Sequence, residues 1–114
     1  MVQMFGKTTF EQGNDFYAAE NYKQAAASYL TVVKSGFVSP ELYYNLGNSY
    51  FRLGDYPHAI LYYEKAKRLS PKDPDLLMNL GIAKTKIADK FETLPDIFFV
   101  HWWKVFTGLF SRDA

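Results

Sequence analysis

Cysteine is absent from this sequence of 114 residues, which excludes a disulfide framework and thiol chemistry and leaves the redox compartment open. Net charge is nearly absent too, since 13 basic residues against 12 acidic ones give a formal charge of +1. That balance provides no field to attract nucleic acid or an anionic membrane. The opening residues, MVQMFGKTTF, lack the apolar core of a signal peptide. If the natural protein is exported, its signal has been removed.

Groups that could do chemistry are sparse. His58 and His101 are the only histidines, and each lacks a second histidine or a carboxylate at ligand spacing, which favours surface or packing roles over a metal site. Ser49 and Thr85 have no adjacent base that could activate them. No glycine-rich phosphate loop is present in the sequence. We therefore expect no enzyme activity and no cofactor.

Hydrophobic residues make up 48% of the sequence and aromatic residues 18%, which is enough for one packed helical domain. The clearest stretch runs from Pro40 to Pro71, PELYYNLGNSYFRLGDYPHAILYYEKAKRLSP, and predicts two antiparallel helices. Ser39 caps the first helix, Gly54 ends it, and Asp55 caps the second. The second helix is expected to turn five residues inward: Ala59, Ile60, Tyr63, Ala66 and Leu69.

Small residues on these helices let the two axes approach closely, because Gly47 and Ala59 leave room for large neighbours such as Tyr63. The same glycine recurs at a constant spacing, at Gly13, Gly47 and Gly81. The flanking words agree, GNDFYAAENYKQAAASY against GNSYFRLGDYPHAILYY. The order of large and small residues in the second copy resembles the tetratricopeptide repeat at every signature position. That resemblance implies stacked helix pairs.

The first copy is a weaker version of the second, because Glu20 stands where the second copy has its turn glycine. Thr8 with Glu11 three residues later predicts a capping box near the start of its first helix. Asn21 is expected to open the next helix, and Gly36 to end it.

The third copy matches the repeat pattern in its first helix and departs from it afterwards. Asp73 is expected to cap a helix that runs to about Asp89. Its core face is predicted to comprise Leu77, Leu80 and Gly81. Ala88 replaces the turn glycine, and Pro95 falls inside what would have been the second helix. We therefore expect a single helix that caps the second repeat.

The remaining stretch, TLPDIFFVHWWKVFTGLF, predicts an amphipathic aromatic helix from about Leu94 to about Phe110, opened by Thr93 with Asp96. A polar side that includes Lys104 excludes a membrane span, which needs about 20 mostly apolar residues. Three roles stay open: covering the end of the repeats, contact with a membrane surface, or burial in another subunit. The interaction residues predicted on this helix are Phe98, Phe99, Trp102, Trp103, Phe106 and Phe110.

Taken whole, the sequence resembles the BatE family, the tetratricopeptide proteins of Bat aerotolerance operons. The resemblance rests on SGFVSPELYYNLGNSYFRLGDYPHAILYYEKAKRLSP, on NLGIAKTKIADK, and on LP followed by FF and WW. It implies an excised domain of a membrane-associated complex, on the periplasmic side of a bacterial inner membrane and linked to aerotolerance or stress. The chain itself is expected to carry no signal or transmembrane segment.

The domain boundaries that we predict separate the repeats from the tail. Residues 1–92 form the repeat domain, with copies at about 6–39 and 40–73 and a capping helix at about 74–89. Residues 93–114 form the aromatic tail helix.

Stacked helix pairs leave a concave surface on the first helix of each pair once the core residues are assigned. Aromatic side chains there offer apolar contact at low entropic cost, and asparagine amides can both donate to and accept from a peptide backbone. We therefore predict a groove that binds a peptide or a helix. Its residues are Phe10, Asn14, Tyr17, Tyr44, Asn45, Asn48, Phe51, Arg52, Met78, Asn79, Ile82, Thr85 and Lys86.

Chaperone-type members of the repeat family that clamp a C-terminal carboxylate provide a contrast. Asn14 and Asn45 match the two asparagines of that clamp. Phe10, Asp75 and Asn79, however, stand where basic residues would be expected. The resemblance therefore argues against an acidic C-terminal tail as the ligand.

The sequence thus predicts an all-α right-handed superhelix of two full repeats, a capping helix and an aromatic tail, acting as a scaffold or adaptor for a protein or peptide partner and not for nucleic acid. One alternative is self-association through the tail, as a swapped dimer or a chain of molecules in which the tail enters a neighbour's groove. The other is attachment of the tail to a membrane surface.

Overall fold

A computed structural model describes residues 8–91 and 96–111 of the chain. Within those residues it contains α-helices and no strand, which confirms the predicted all-α class. The right-handed superhelical path stays a prediction. The helices are α1 (Thr9–Ala18), α2 (Tyr22–Lys34), α3 (Pro40–Arg52), α4 (Tyr56–Leu69), α5 (Pro74–Phe91) and α6 (Asp96–Ser111).

Side-chain caps begin the helices where the sequence predicts them. The Thr8 hydroxyl accepts from the Glu11 backbone N–H at 3.1 Å, and the Glu11 carboxylate accepts from the Thr8 N–H at 3.0 Å, which completes the capping box of α1. Ser39 accepts from the first turn of α3, and Asp73 from that of α5. Each cap satisfies a backbone donor that has no partner inside its helix. The box predicted at Thr93 lies outside the described residues.

Asn21 also precedes its helix as predicted, but its side chain does not cap α2. It donates instead to the side chain of Gln24.

Left-handed residues end the helices. Gly36 has φ 95° and Gly54 has φ 80°, and both lie just past a helix C-terminus, as predicted. Glu20 occupies the position of Gly54 in the first repeat and has φ 62°. The chain therefore makes the same turn twice, once with glycine and once with a residue whose Cβ disfavours that conformation.

Glu20→Gly is expected to stabilise the protein by about 1 kcal/mol, because glycine adopts the left-handed conformation without a Cβ clash. At this chain length the thermal midpoint should rise by about 4 °C. Ala19→Gly is the matched control, since Ala19 has φ −83° and gains nothing from glycine. An equal shift for both variants would show that the turn is not strained.

The helices pack as two antiparallel pairs joined into a continuous stack: α1 on α2, α2 on α3, α3 on α4, and α4 on α5. Glycine allows the close approach within each pair. A Cβ on Gly13 would lie 2.6 Å from a ring carbon of Tyr29, and one on Gly47 would lie 2.6 Å from a ring carbon of Tyr63. The close helix approach predicted from the small residues is therefore confirmed at both pairs.

Two residues predicted to face the core are exposed. Leu69 is 46% exposed at the end of α4, and Leu77 is 40% exposed on α5. Gly81, predicted beside Leu77, has no atom within 4 Å of its ideal Cβ position. The predictions for Leu77 and Gly81 were wrong because no described helix covers that side of α5, whereas the prediction for Leu80 is confirmed. The buried face of α5 packs on α4 instead and comprises Leu76, Leu80, Ala83 and Ile87.

The described side chains of helix α6 that contact the end of the stack are aromatic. Phe106 is buried in the core cluster that α4 and α5 build, and Trp102 is half-buried against it. The Trp102 and Phe106 rings stack with centroids 4.9 Å apart. Trp103 lines a cavity of about 160 Å³ together with Ile60, Lys84, Ile87 and Ala88. The side chains of Phe98, Phe99 and Phe110 lie outside the described part of the structure.

Candidate functional site

Asparagine side chains from successive first helices meet a buried tyrosine in the first repeat. The Tyr29 hydroxyl donates to the Asn14 Oδ1 at 2.5 Å, and the Asn45 amide donates to the same oxygen at 3.3 Å. Asn14 lies on α1, Tyr29 on α2 and Asn45 on α3. The three side chains therefore join three consecutive helices through one shared acceptor.

The second repeat contains the same arrangement at the equivalent positions. The Tyr63 hydroxyl donates to the Asn48 Oδ1 at 2.5 Å, and the Asn79 amide donates to that oxygen at 3.4 Å. The Asn79 amide also donates to the Tyr44 hydroxyl at 3.0 Å. We call the two sets together the asparagine–tyrosine ladder, which consists of Asn14, Tyr29, Asn45, Asn48, Tyr63, Asn79 and Tyr44.

The ladder uses the acceptor oxygens of Asn14 and Asn48 within the fold. Both side chains are half-buried, and within the described residues the structure shows no hydrogen bond made by their amide nitrogens. No described side chain has a buried polar atom without a partner, so these N–H groups reach solvent. The positions predicted to contact a ligand therefore hold helices in register and still present donors.

Aromatic side chains predicted in the groove are half-buried. Phe10 packs on Tyr29 with ring centroids 5.7 Å apart, and Tyr44 packs on Tyr63 at 6.0 Å. Phe51 meets Tyr56 edge to face at 5.4 Å. These contacts orient each ring by its neighbour, and each of the three residues remains partly exposed.

Tyr17 and Arg52 come together from different repeats at the end of the groove. Tyr17 contacts Tyr22 edge to face at 5.1 Å, and the Arg52 guanidinium lies 5.1 Å from the centre of the Tyr22 ring. Burial raises the pKa of Tyr17, and the nearby Arg52 charge opposes that rise. The guanidinium is held by a cation–π contact while its residue remains exposed.

The groove residues on α5 are more exposed than those on α1 and α3. Met78 is 60% exposed and Ile82 is 40% exposed. Thr85 donates its hydroxyl hydrogen bond to the backbone oxygen of Gly81 at 3.0 Å, while Lys86 is exposed. The α5 end of the predicted groove is thus the more exposed one, whereas aromatic rings that pack on one another line the end formed by α1 and α3.

Residues 10–74 match the tetratricopeptide repeat family along more than half of the chain. The chain belongs to the tetratricopeptide repeat family. A curated relative, Stress-induced-phosphoprotein 1 of Caenorhabditis elegans, is 35% identical over 63 residues, which are 53% of this chain and 20% of that protein. The chain therefore spans about a fifth of the length of this relative. Tetratricopeptide repeats are in general protein-interaction modules, and the family is typically non-enzymatic.

Charged residues of the tetratricopeptide repeats line the two edges of the groove with opposite signs. Glu41 and Asp75 lie in the first turns of α3 and α5, one repeat apart. Arg52 lies in the last turn of α3, and Lys86 occupies the equivalent position on α5. The charge therefore changes from carboxylates at one edge of the predicted groove to cations at the other, with amides and rings between them.

Sequence reasoning missed the polar role of Tyr29 and Tyr63, which it assigned to packing alone. The signal was present, because each tyrosine follows its asparagine partner by 15 residues in both repeats. His58 was also treated as lacking a carboxylate, but its Nδ1 lies 2.9 Å from the Asp55 carboxylate at an exposed helix start. Within the described residues there is no cluster that could hold a metal ion.

The helices were predicted not to span a membrane. Among the described residues, none of them combines the length and the apolar character that crossing a bilayer requires.

Alkaline pH is expected to destabilise the tetratricopeptide fold. Burial raises the pKa of Tyr29 to about 12, and burial also raises the pKa of Tyr63. The unfolded chain releases these protons near pH 10, so stability is complete below that pH. Between pH 10 and the folded pKa, each tyrosine should remove about 1.4 kcal/mol of unfolding free energy per pH unit.

Urea unfolding at several pH values from 8 to 11.5 measures this dependence, and Tyr29→Phe provides its control. The variant lacks one of the tyrosines whose pKa burial raises, so its loss of stability above pH 10 should be shallower than in the wild type. Identical slopes for the two proteins would contradict the assignment to Tyr29.

Proposed function

We propose that the protein is a non-catalytic scaffold or adaptor that binds an extended peptide or a helix of a protein partner in the groove of its tetratricopeptide repeats. The observation that carries the proposal is the pairing of half-buried aromatic rings with the unused amide N–H groups of Asn14 and Asn48. The rings supply apolar contact, and the amides can donate to backbone carbonyls of a ligand.

Charge at the groove edges selects among peptides. Asp75 and Glu41 repel an acidic ligand end at one edge, whereas Arg52 and Lys86 attract it at the other. A carboxylate clamp would need cations at the positions of Phe10, Asp75 and Asn79. Asn79 instead donates to Tyr44 and to Asn48. We therefore propose an internal peptide segment or a helix as the ligand, with its acidic residues toward Arg52.

Charge reversal of the basic edge tests the groove. Arg52→Glu with Lys86→Glu should lower binding to acidic members of a peptide array and shift the selected peptides toward basic sequences. Both residues are exposed, so the helical circular dichroism should not change. Lys23→Glu with Lys34→Glu, on the opposite helix α2, is the control of equal charge change. Peptide selection that is identical in all three proteins would place the binding surface elsewhere.

Asn48→Ala does not test ligand binding alone. The Asn48 Oδ1 accepts from Tyr63 and from Asn79, so Asn48→Ala also removes contacts within the fold. The loss should lower stability by about 1 kcal/mol or more, since the Tyr63 hydroxyl is left without its acceptor.

The cellular setting that we propose is a membrane-associated Bat-type complex on the periplasmic side of a bacterial inner membrane, linked to aerotolerance. The resemblance of the sequence to the BatE family supports this setting. Purification of the native protein, together with whatever anchors it in the cell, should then recover other components of such a complex. Recovery from a cytosolic fraction without them would contradict it.

Self-association through α6 is a second candidate function, because several apolar residues of this helix face solvent: Ile97, Val100, Trp103 and Val105. Exposed apolar residues that cluster on one element often mark a contact with a partner. Attachment of the same helix to a membrane surface is the competing use of these residues. Partition of the purified protein onto anionic and neutral lipid vesicles, compared with Trp103→Ser, tests the membrane role.

A further inference from the structure

Within the described residues, one face of α5 lacks the helix that covers the equivalent face in both earlier repeats. Gly13 receives Tyr29 of α2, and Gly47 receives Tyr63 of α4. Gly81 stands at the same position on α5, yet no atom lies within 4 Å of its ideal Cβ position. We call this surface the open face of α5, and it consists of Gly81 and its exposed neighbour Leu77.

The length of α5 prevents α6 of the same chain from covering the open face as a second helix would. Helix α3 ends at Arg52, and Lys86 stands at the same repeat position on α5. Helix α5 does not end there but continues to Phe91. Ala88 replaces the turn glycine Gly54 and lets the helix continue. Five additional residues displace the chain by about 7.5 Å along the helix axis. Helix α6 therefore begins beyond the point from which α4 folds back.

Helix α6 nevertheless carries the face of a second helix. In the repeat register, Ile97 corresponds to Tyr63 and Val100 to Ala66, and both of those residues of α4 are 0% exposed. Ile97 is 73% exposed and Val100 is 48% exposed. Among the α6 side chains that the structure describes, only Phe106 is buried. The start of α6 thus presents an apolar face that no described part of its own chain covers.

Polar residues at the described start of the first repeat make it a poor cover for the open face of α5. The residues at the start of the first repeat that correspond to buried Leu42 and Leu46 are exposed Thr8 and Gln12. Head-to-tail stacking of copies would bury polar groups against the open face, which is unfavourable without hydrogen-bond partners.

We propose that two copies of this chain form a two-fold dimer in which α6 of each copy lies on the open face of α5 of the other, with Ile97 against Gly81. The exchange repeats the packing of Tyr63 on Gly47 across a subunit boundary. Because the same two surfaces meet twice, the interface closes and does not extend into a fibre. The arrangement rests on the second candidate function, self-association through α6, and names the surface that α6 contacts; it does not depend on binding of a ligand in the groove.

Sedimentation equilibrium of the intact chain over the micromolar range tests the dimer, with Gly81→Leu as the blocking variant. Leucine meets nothing in the single chain, so the helical circular dichroism should be unchanged. In the dimer it occupies the space of Ile97, and the dissociation constant should rise at least tenfold. Ala27→Leu, at an exposed position on α2, is the matched control and should leave the dissociation constant unchanged.

Cross-linking defines the contact, because the chain has no native cysteine. A Gly81→Cys chain mixed with an Ile97→Cys chain should give a covalent heterodimer on oxidation, whereas each variant alone should give none. A monomer throughout the concentration range, including one that instead binds lipid vesicles, would overturn the proposal. So would a dimer that Gly81→Leu does not weaken or that fails to cross-link between these two positions.

Discussion

Gly47→Leu is expected to unfold the protein or to reduce its stability by at least about 3 kcal/mol, through overpacking against α4. The first carbon of any side chain at this position would lie 2.6 Å from the Tyr63 ring, which is 0% exposed and has no room to move. Overpacking in a dense core costs about 1–3 kcal/mol when neighbours can shift, and more when they cannot. A small domain has a total stability of about 5–15 kcal/mol, so this loss is a large part of it.

Thermal unfolding followed by circular dichroism measures the effect. The midpoint should fall by about 10 °C or more, since about 4 °C corresponds to 1 kcal/mol at this length. Gly108→Leu is the matched control, because Gly108 is also helical but has no atom within 4 Å of its ideal Cβ position. A midpoint for Gly47→Leu within about 4 °C of the wild type would refute the close packing of α3 on α4.

Tyr63→Ala is expected to be comparably damaging. Its ring lies at the centre of the cluster formed by α4 and α5, and its hydroxyl donates to Asn48. Removing a buried aromatic side chain of this size costs about 3–5 kcal/mol through lost burial and the cavity that remains. The loss of the hydrogen bond adds to this, although Asn48 still accepts from Asn79.

Tyr63→Phe separates the two contributions, because it keeps the ring and removes the hydroxyl. We expect a loss of about 1 kcal/mol for the phenylalanine variant and several times more for the alanine variant in urea unfolding. Equal losses would mean that the hydrogen bond to Asn48, and not the ring, dominates the stability of this pair. That result would contradict the packing argument for Gly47 as well.

Local signals in the sequence were sufficient for most helix boundaries. Ser39 caps α3 and Gly54 takes a left-handed conformation after it, as predicted, because both effects depend only on a residue and its near neighbours. The approach of Gly47 to Tyr63 was predictable for a related reason, since the repeat pattern places a small residue opposite a large one.

The groove was predictable only in part. The repeat register places Asn14, Asn45, Asn48 and Asn79 on the first helices, and the structure brings them close together. Their hydrogen bonds to one another and to tyrosines were not predictable, because each bond depends on the distance between two helices. The bonded residues on those helices are, for example, 15 or 31 positions apart in sequence. The role of these residues in ligand binding stays a prediction.

The sequence by itself determined the helical class, the repeat period, most of the caps, and the close contacts of Gly13 and Gly47, all of which follow from local sterics and from one recurring pattern. Tertiary structure alone decided which apolar faces are covered. Leu77 and Leu80 read equally well as core, yet only Leu80 is buried, because α4 lies against one side of α5 and no described helix lies against the other. Burial depends on what packs against a face, and a pattern of residues within one helix does not contain that information.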